Sequence, residues 1–341
     1  MNNLFSDKSS SIYIIAEVGV NHNGSLEKAM QCVDVAARSG ADAVKFQTFK
    51  SEKLVTKQAK KANYQSENMN SDENQFQMLK KLELSFEEFI KLKQYCDEKK
   101  IDFMSTPFDD DSAEFLDSIE VDAFKIGSGD MNNIPFLKKI NQYKRPVLLS
   151  TGMSDMQEIR EPLEALKDCT VILLHCTSDY PAPFEDVNLK VIPIMKQTYA
   201  KIVGYSDHTI GIEAAVAAVA LGAKVIEKHF TLDRNLPGPD HKASLEPIEL
   251  ASLIHSIRNI EQALGDGIKR CMPSEMDTRT VARKSLVLAN DKYAGEKLTE
   301  GDILVKRPGV GIEPKFYEQF IGKVLVRDMT KDMLLKWDDV K

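Results

Sequence analysis

Residues 201–230 read KIVGYSDHTIGIEAAVAAVALGAKVIEKHF, and this stretch decides the fold. Its two ends, 201–205 and 224–228, are short runs rich in β-branched and aromatic residues without polar alternation, which is typical of parallel strands covered on both faces. Between them, residues 212–221 form an alanine-rich segment with helical periodicity. The order strand, helix, strand predicts one β/α unit of a parallel sheet.

The same unit recurs along most of the chain. Strands are predicted at residues 13–18, 43–47, 102–105, 123–126, 146–150, 171–175, 201–205 and 224–228. Helices are predicted at residues 26–39, 85–100, 154–166, 212–221 and 247–264. Eight β-then-α units in about 250 residues predict a closed (β/α)8 TIM barrel. A doubly wound open sheet is the alternative, but the sequence has no GxGxxG motif.

The pattern changes after Gly265. We expect a barrel domain over residues 1–265, a linker over 266–283 and a small β-rich domain over 284–341, with strand-like pieces at 285–289, 303–306 and 323–326. A domain of about 60 residues is marginally stable alone and benefits from docking.

Composition limits the classes of partner. The 341 residues carry a net charge of −7, which argues against nonspecific nucleic-acid binding. The five cysteines are scattered, without a CxxC pair. The first eleven residues are polar, and no run approaches ~18 apolar residues, so we expect a cytoplasmic protein that does not span a membrane.

Functional side chains of such barrels lie at the carboxyl ends of the strands. One group found there is cationic or hydroxylic and consists of Lys45, Thr106, Lys125, Ser128, Ser150, Ser178 and Ser206. Two ammonium groups with hydroxyl donors predict a cradle for phosphate and carboxylate. The alternative is that each lysine only forms a salt bridge at the rim.

The second group is suited to a metal ion. His208 and His229 end neighbouring strands, which lie ~4.8 Å apart, and barrel closure places Glu17 beside them. Two histidines near a carboxylate predict a catalytic divalent metal with open coordination positions. The alternative is a pair of hydrogen-bonded rim histidines. His22 and His175 are as well explained by local hydrogen bonds.

These motifs closely resemble those of the sialic acid synthase family, over residues 12–341. The matching strings are AEVGVNHNG (16–24), KFQT (45–48), STPF (105–108), FKIGSG (124–129), YPAP (180–183), GYSDH (204–208), EKHF (227–230) and GPDH (238–241). KRPG at 306–309 is similar to the family's antifreeze-like SAF domain.

The resemblance implies condensation of phosphoenolpyruvate with an N-acetylated amino sugar. It places phosphoenolpyruvate on the cationic and hydroxylic group and a divalent ion, manganese or magnesium, on His208 and His229. Glu17 would transfer protons. The sugar would be positioned by Gln47, Tyr180 and Asp240. Asp130 stands where many bacterial relatives have glutamate, so a carboxylate is kept there.

The resemblance also implies a homodimer in which Arg307 reaches the barrel of the second subunit and contacts the N-acetyl group. The acceptor is left open between N-acetylmannosamine and 2,4-diacetamido-2,4,6-trideoxymannose, and residues 60–65 are expected to shape its pocket. The alternatives are another metal-dependent, phosphoenolpyruvate-using 3-deoxy-sugar-acid synthase and a non-catalytic carbohydrate-surface protein. A phosphorylated acceptor would need a second basic cluster, which the sequence does not show clearly.

Overall fold

The structure, a computed structural model, describes residues 11–62, 65, 68 and 73–341. Its first unit ends at Gly265 and contains eight parallel strands. These are β1 (Tyr13–Gly19), β2 (Ala43–Thr48), β3 (Asp102–Pro107), β4 (Phe124–Ile126), β5 (Val147–Ser150), β6 (Val171–Cys176), β7 (Val203–Asp207) and β8 (Val225–His229). The ladder order is β3-β2-β1-β8-β7-β6-β5-β4, and the end strands β3 and β4 lie in contact. The predicted TIM barrel is therefore confirmed.

Helices follow the strands. In this unit they are α1 (Leu26–Ser39), α2 (Ser51–Leu54), α3 (Gln75–Leu82), α4 (Phe86–Lys99), α5 (Asp110–Ser118), α6 (Ile134–Gln142), α7 (Arg160–Ala165), α8 (Val191–Tyr199), α9 (Glu213–Ala220) and α10 (Pro247–Leu264). No helix in the described part of the chain is long and apolar enough to cross a lipid bilayer.

Local capping fixes where several helices begin. The Ser85 hydroxyl accepts from Glu88 N, and the Glu88 carboxylate accepts from Ser85 N, so α4 begins at a capping box. The predicted helix at 154–166 was wrong in its first half, since α7 begins only at Arg160. The Asp155 carboxylate accepts from Gln157 N and Glu158 N, which holds that segment in a turn instead.

The barrel interior has an apolar floor and a polar layer above it. The floor consists of Ile15, Ala43, Met104, Ala123, Leu148, Ile172, Leu174 and Val225. Side chains two residues further along a strand point the same way. That period places Glu17 after Ile15, Lys45 after Ala43, Lys125 after Ala123 and Glu227 after Val225. The floor supports a layer of buried charges, and the outer faces of the strands pack on the helices.

The second unit spans Asp266–Lys341 and has its own apolar core. It contains α11 (Met276–Ala282), α12 (Tyr317–Phe320) and an antiparallel pair of strands, β9 (Ser285–Leu288) and β10 (Ile303–Lys306). The strand predicted at 323–326 was wrong. Val324 and Leu325 form only isolated bridges, to Lys297 and Val340, because they pair with two different segments.

Candidate active site

A cavity of about 340 Å³ opens at the carboxyl ends of the barrel strands. Twelve of the predicted site residues line it, namely Glu17, Lys45, Gln47, Thr106, Lys125, Ser128, Ser150, Ser178, Tyr180, Ser206, His208 and His229. Glu227, Ala62, Phe108, Met153, Gly127 and Gly129 line it as well. The eight strands thus bring residues that are far apart in sequence to one site.

Glu227 lies at the centre of the charged layer. Its carboxylate is 3.2 Å from Lys125 Nζ and 3.6 Å from Lys45 Nζ. The Ser206 hydroxyl donates to Glu227 Oε1 at 2.7 Å. Lys45 Nζ also lies 2.7 Å from Glu17 Oε2 and donates to Thr106 Oγ1 at 3.2 Å. Two ammonium and two carboxylate groups therefore form one buried network.

Burial and charge move the pKa values of these groups in different directions. Burial raises the pKa of Glu17 to about 7, although the adjacent Lys45 acts against that shift. Burial alone would raise the pKa of Glu227 too, but Lys125, Lys45 and the Ser206 hydroxyl together bring it below its ordinary value. Burial lowers the pKa of Lys125, partly offset by Glu227. Two similar carboxylates are thereby separated, one ionised and one able to exchange a proton near neutral pH.

The two predicted metal ligands are held close together at the same rim. The rings of His208 and His229 have centroids 5.6 Å apart, and Tyr180 contacts both. His208 Nδ1 lies 2.6 Å from the carbonyl oxygen of Thr177, which leaves Nε2 as its lone-pair nitrogen. Burial lowers the pKa of His208 to about 4 and that of His229 well below its usual value. Both imidazoles are therefore neutral at physiological pH.

This donor set fits a divalent cation. His229 Nδ1 is buried and has no hydrogen-bond partner among the described residues. An imidazole oriented by a backbone carbonyl, as His208 is, is the usual arrangement of a metal-binding histidine. Within residues 11–62, 65, 68 and 73–341, no three His, Cys, Asp or Glu side chains are grouped to hold an ion by themselves. Two histidines alone would leave coordination positions for water and substrate.

Two of the hydroxyl groups that line the cavity, those of Ser128 and Ser178, lie around Gly152. Gly152 N donates to Ser128 Oγ at 3.0 Å, and Cys176 Sγ lies 3.2 Å from the same oxygen. A Cβ at residue 152 would lie 2.2 Å from Ser178 Oγ and 2.8 Å from Ser128 Oγ. The Ser150 hydroxyl is buried without a hydrogen-bond partner in the described part of the chain. Glycine thus leaves room for hydroxyl groups that line the same cavity as Lys125, as an anion cradle requires.

Three predicted residues do not line the cavity. Asp130 is half-buried next to it, accepts from Asn133 Nδ2 at 3.1 Å, and has its pKa raised by burial. Asp240 is buried in the loop after β8, where burial raises its pKa to about 6. Arg307 is exposed in the second unit, where its Nε donates to the Ala282 carbonyl at 3.1 Å. In the predicted acceptor segment 60–65, Asn63 and Tyr64 lie outside the described residues.

The other histidines form local hydrogen bonds. His22 Nδ1 accepts from Gly24 N at 3.1 Å, and His175 Nε2 lies 2.7 Å from the Val187 carbonyl oxygen. His241 lies 2.7 Å from Thr231 Oγ1 through Nδ1 and 3.2 Å from Asn23 Oδ1 through Nε2.

Glu227 is a buried residue of the cavity that sequence reasoning missed. The signal was present, since Val225, Glu227 and His229 share one face of β8 by the two-residue period of a strand. His229 was recognised on that face, and the carboxylate one period before it is buried among the lysines.

Comparison with known proteins shows which family the chain belongs to. The NeuB family model matches residues 32–269 and the SAF domain model matches residues 283–341. The chain belongs to the NeuB family. It is 48% identical over 328 residues to the N,N'-diacetyllegionaminic acid synthase of Campylobacter jejuni, covering 95% of this chain and 98% of that protein. It is 40% identical to the human N-acetylneuraminate-9-phosphate synthase, covering 94% and 90%.

One solved structure is similar over most of its length. The sialic acid synthetase from Leptospira borgpetersenii is 37% identical with a TM-score of 0.70, covering 79% of this chain and 90% of that chain. Family membership confirms the predicted resemblance, the barrel followed by a SAF domain, and the class of nonulosonate synthases.

Proposed function

We propose that this NeuB family enzyme condenses phosphoenolpyruvate with 2,4-diacetamido-2,4,6-trideoxymannose and water, releasing phosphate. The observation that carries the proposal is the cavity itself, with two buried lysines, clustered hydroxyls, a carboxylate of raised pKa and two neutral histidines around 340 Å³. The choice of sugar follows the N,N'-diacetyllegionaminic acid synthase of Campylobacter jejuni, at 48% identity. N-acetylmannosamine is the competing acceptor.

The lysines and hydroxyls would bind phosphoenolpyruvate. Lys45 and Lys125 neutralise its phosphate and carboxylate, while Ser128, Ser150, Ser178, Ser206 and Thr106 donate hydrogen bonds. Because Glu227 holds both ammonium groups in place, they meet the substrate without being reorganised. C3 of phosphoenolpyruvate then bonds to the aldehyde carbon of the open-chain sugar as the C2=C3 π bond breaks; the carbonyl π pair moves onto the aldehyde oxygen, and C2 becomes electron-poor.

Proton transfer falls to Glu17. Water adds to C2 and loses one proton, which Glu17 passes on to the former aldehyde oxygen. The tetrahedral centre then expels phosphate, which takes the second proton as the C2 ketone forms. Glu17 has a pKa of about 7, so its carboxylate can accept a proton from that water near neutral pH. Gln47 Nε2 donates to Glu17 Oε1 at 3.3 Å and orients the carboxylate.

His208 and His229 would hold a divalent cation, manganese or magnesium, which supplies Lewis-acid polarisation of the aldehyde oxygen. Tyr180 packs against both imidazoles and limits their movement. Asp240 and Asp130 would meet the acceptor, and Arg307 would reach the N-acetyl group from the second subunit of a homodimer. Five free thiols support a cytoplasmic location.

The test is phosphate release from phosphoenolpyruvate with each of the two sugars, with and without a chelator. We expect turnover with the diacetamido sugar, little with N-acetylmannosamine, and loss of turnover on chelation that Mn²⁺ restores. Turnover by N-acetylmannosamine alone would reassign the acceptor. Turnover unaffected by exhaustive chelation would contradict the role of His208 and His229.

A further inference from the structure

Asp207 and Lys228, which precede His208 and His229 in sequence, form a buried ion pair that the proposed reaction does not use. Lys228 Nζ is 2.7 Å from Asp207 Oδ2, and neither side chain has any solvent exposure. Ser206, Glu227, His208 and His229 line the cavity, whereas Asp207 and Lys228 alternate with them and point out of the barrel. The pair is therefore adjacent in sequence to both histidines without facing the substrate cavity.

The pair is completed by hydrogen bonds to one short segment. Asp207 Oδ1 accepts from Thr209 N at 2.9 Å, from Thr209 Oγ1 at 2.8 Å and from Tyr205 OH at 3.1 Å. Lys228 Nζ donates to the Thr209 carbonyl at 2.5 Å. Asp207 and Thr209, on either side of His208, are thus both bonded to Lys228, which precedes His229.

A buried ion pair costs desolvation free energy, and apolar residues of similar size often stabilise a core as well or better. Apolar contacts, however, are not directional. The bonds of Asp207 and Lys228 fix the orientation of the peptides that carry His208 and His229, while the Thr177 carbonyl fixes the ring of His208 from the β6 side.

We propose that Asp207 and Lys228 are positioning residues that hold His208 and His229 at the spacing a divalent cation needs. The proposal rests on the proposed function, since it assumes that these two histidines bind the cation. It extends that function to two residues that touch neither cation nor substrate.

The experiment compares Mn²⁺ binding to the unmodified full chain and to the double variant Asp207→Asn, Lys228→Met, by electron paramagnetic resonance of free Mn²⁺. Asparagine keeps an acceptor oxygen for Thr209, and methionine fills the space of the lysine stem. We expect Mn²⁺ affinity to fall on the order of 10-fold or more, as for other outer groups that orient metal-binding histidines. Binding of phosphoenolpyruvate without metal should not change, because Lys45 and Lys125 are untouched.

Two further variants make the result specific. Leu253→Ala, in the buried face of α10, removes a core side chain that does not line the cavity, and should lower stability without changing Mn²⁺ affinity. The pair Asp207→Asn, Lys228→Gln restores a neutral donor and should recover much of the affinity. Circular dichroism and urea unfolding establish that each variant is folded.

The outcomes separate this proposal from the proposed function. If the unmodified chain binds Mn²⁺ and the folded methionine double variant binds it equally well, the positioning role is wrong and the metal role stands. If the unmodified chain binds no Mn²⁺, both fail. Weakened binding in the methionine variant, with recovery in the glutamine variant, supports the proposal.

Discussion

At Glu227, two buried ammonium groups share one carboxylate. Lys45 and Lys125 are both buried, so water cannot replace the Glu227 carboxylate as their partner. The Ser206 hydroxyl also donates to this carboxylate. Removing one member of a buried charge network leaves the others uncompensated, which is far more costly than losing a surface pair.

We therefore predict that Glu227→Gln lowers the free energy of unfolding by about 3 kcal/mol. Because the lysines lose the group that orients them, kcat should fall as well, on the order of 100-fold. Urea unfolding and steady-state kinetics measure the two effects. Glu161→Gln, at an exposed position of α7, is the matched control and should change neither quantity. Unchanged stability for Glu227→Gln would show that the network does not depend on this carboxylate.

Site residues could be predicted from the sequence where a polar or charged residue lies at or just after the carboxyl end of a predicted strand. Lys45, Lys125, His208 and His229 all follow short buried runs, so their place at the rim could be read from the sequence. The partners of these residues could not, because an ion pair such as Glu227 with Lys125 joins β8 to β4 across the interior. That distance is set by barrel closure and by the apolar floor, neither of which a local pattern contains.

Elements were predictable to different degrees for physical reasons. The capping box at Ser85 is local, so the start of α4 followed from sequence. The start of α7 did not, since the side chain of Asp155 competes for the backbone amides that a helix would use. In the second unit, Leu325 pairs with Val340 while Val324 pairs with Lys297, so apolar runs there give bridges in place of strands.

Between β7 and β8 the spacing depends on Gly204. A Cβ at this position would lie 2.5 Å from the Val225 carbonyl oxygen and 2.6 Å from Leu174 Cδ2. We predict that Gly204→Ala pushes β7 from its neighbours and lowers the free energy of unfolding by about 2 kcal/mol. Turnover should drop too, because β8 carries Glu227 and His229. Gly301→Ala, where a Cβ meets nothing within 4 Å, is the control for urea unfolding. Equal midpoints for both variants would contradict this explanation.

At the scale of the whole molecule, the proposed homodimer assigns Arg307 of each SAF domain to the barrel of the partner subunit. The barrel supplies the anion cradle and both histidines, yet its described lining contains no arginine. Arg307 offers several fixed donors that suit an amide carbonyl better than a lysine would. In a homodimer with exchanged domains, each active site would combine the barrel of one subunit with Arg307 of the other.

If Arg307 acts on the barrel of the partner subunit, two inactive variants can complement each other in one dimer. If Arg307 acts on its own barrel, they cannot. Lys125→Met inactivates the barrel of its own subunit, and Arg307→Ala inactivates whichever barrel its SAF domain serves. Hybrid dimers of the two variants, purified through two different affinity tags, would place an intact barrel beside an intact Arg307 at one of two sites. We expect each parent to be inactive and the hybrid to recover about half of the specific activity of the unmodified enzyme. If Arg307 serves the barrel of its own chain, every site in the hybrid carries one defect or the other, and the mixture stays inactive.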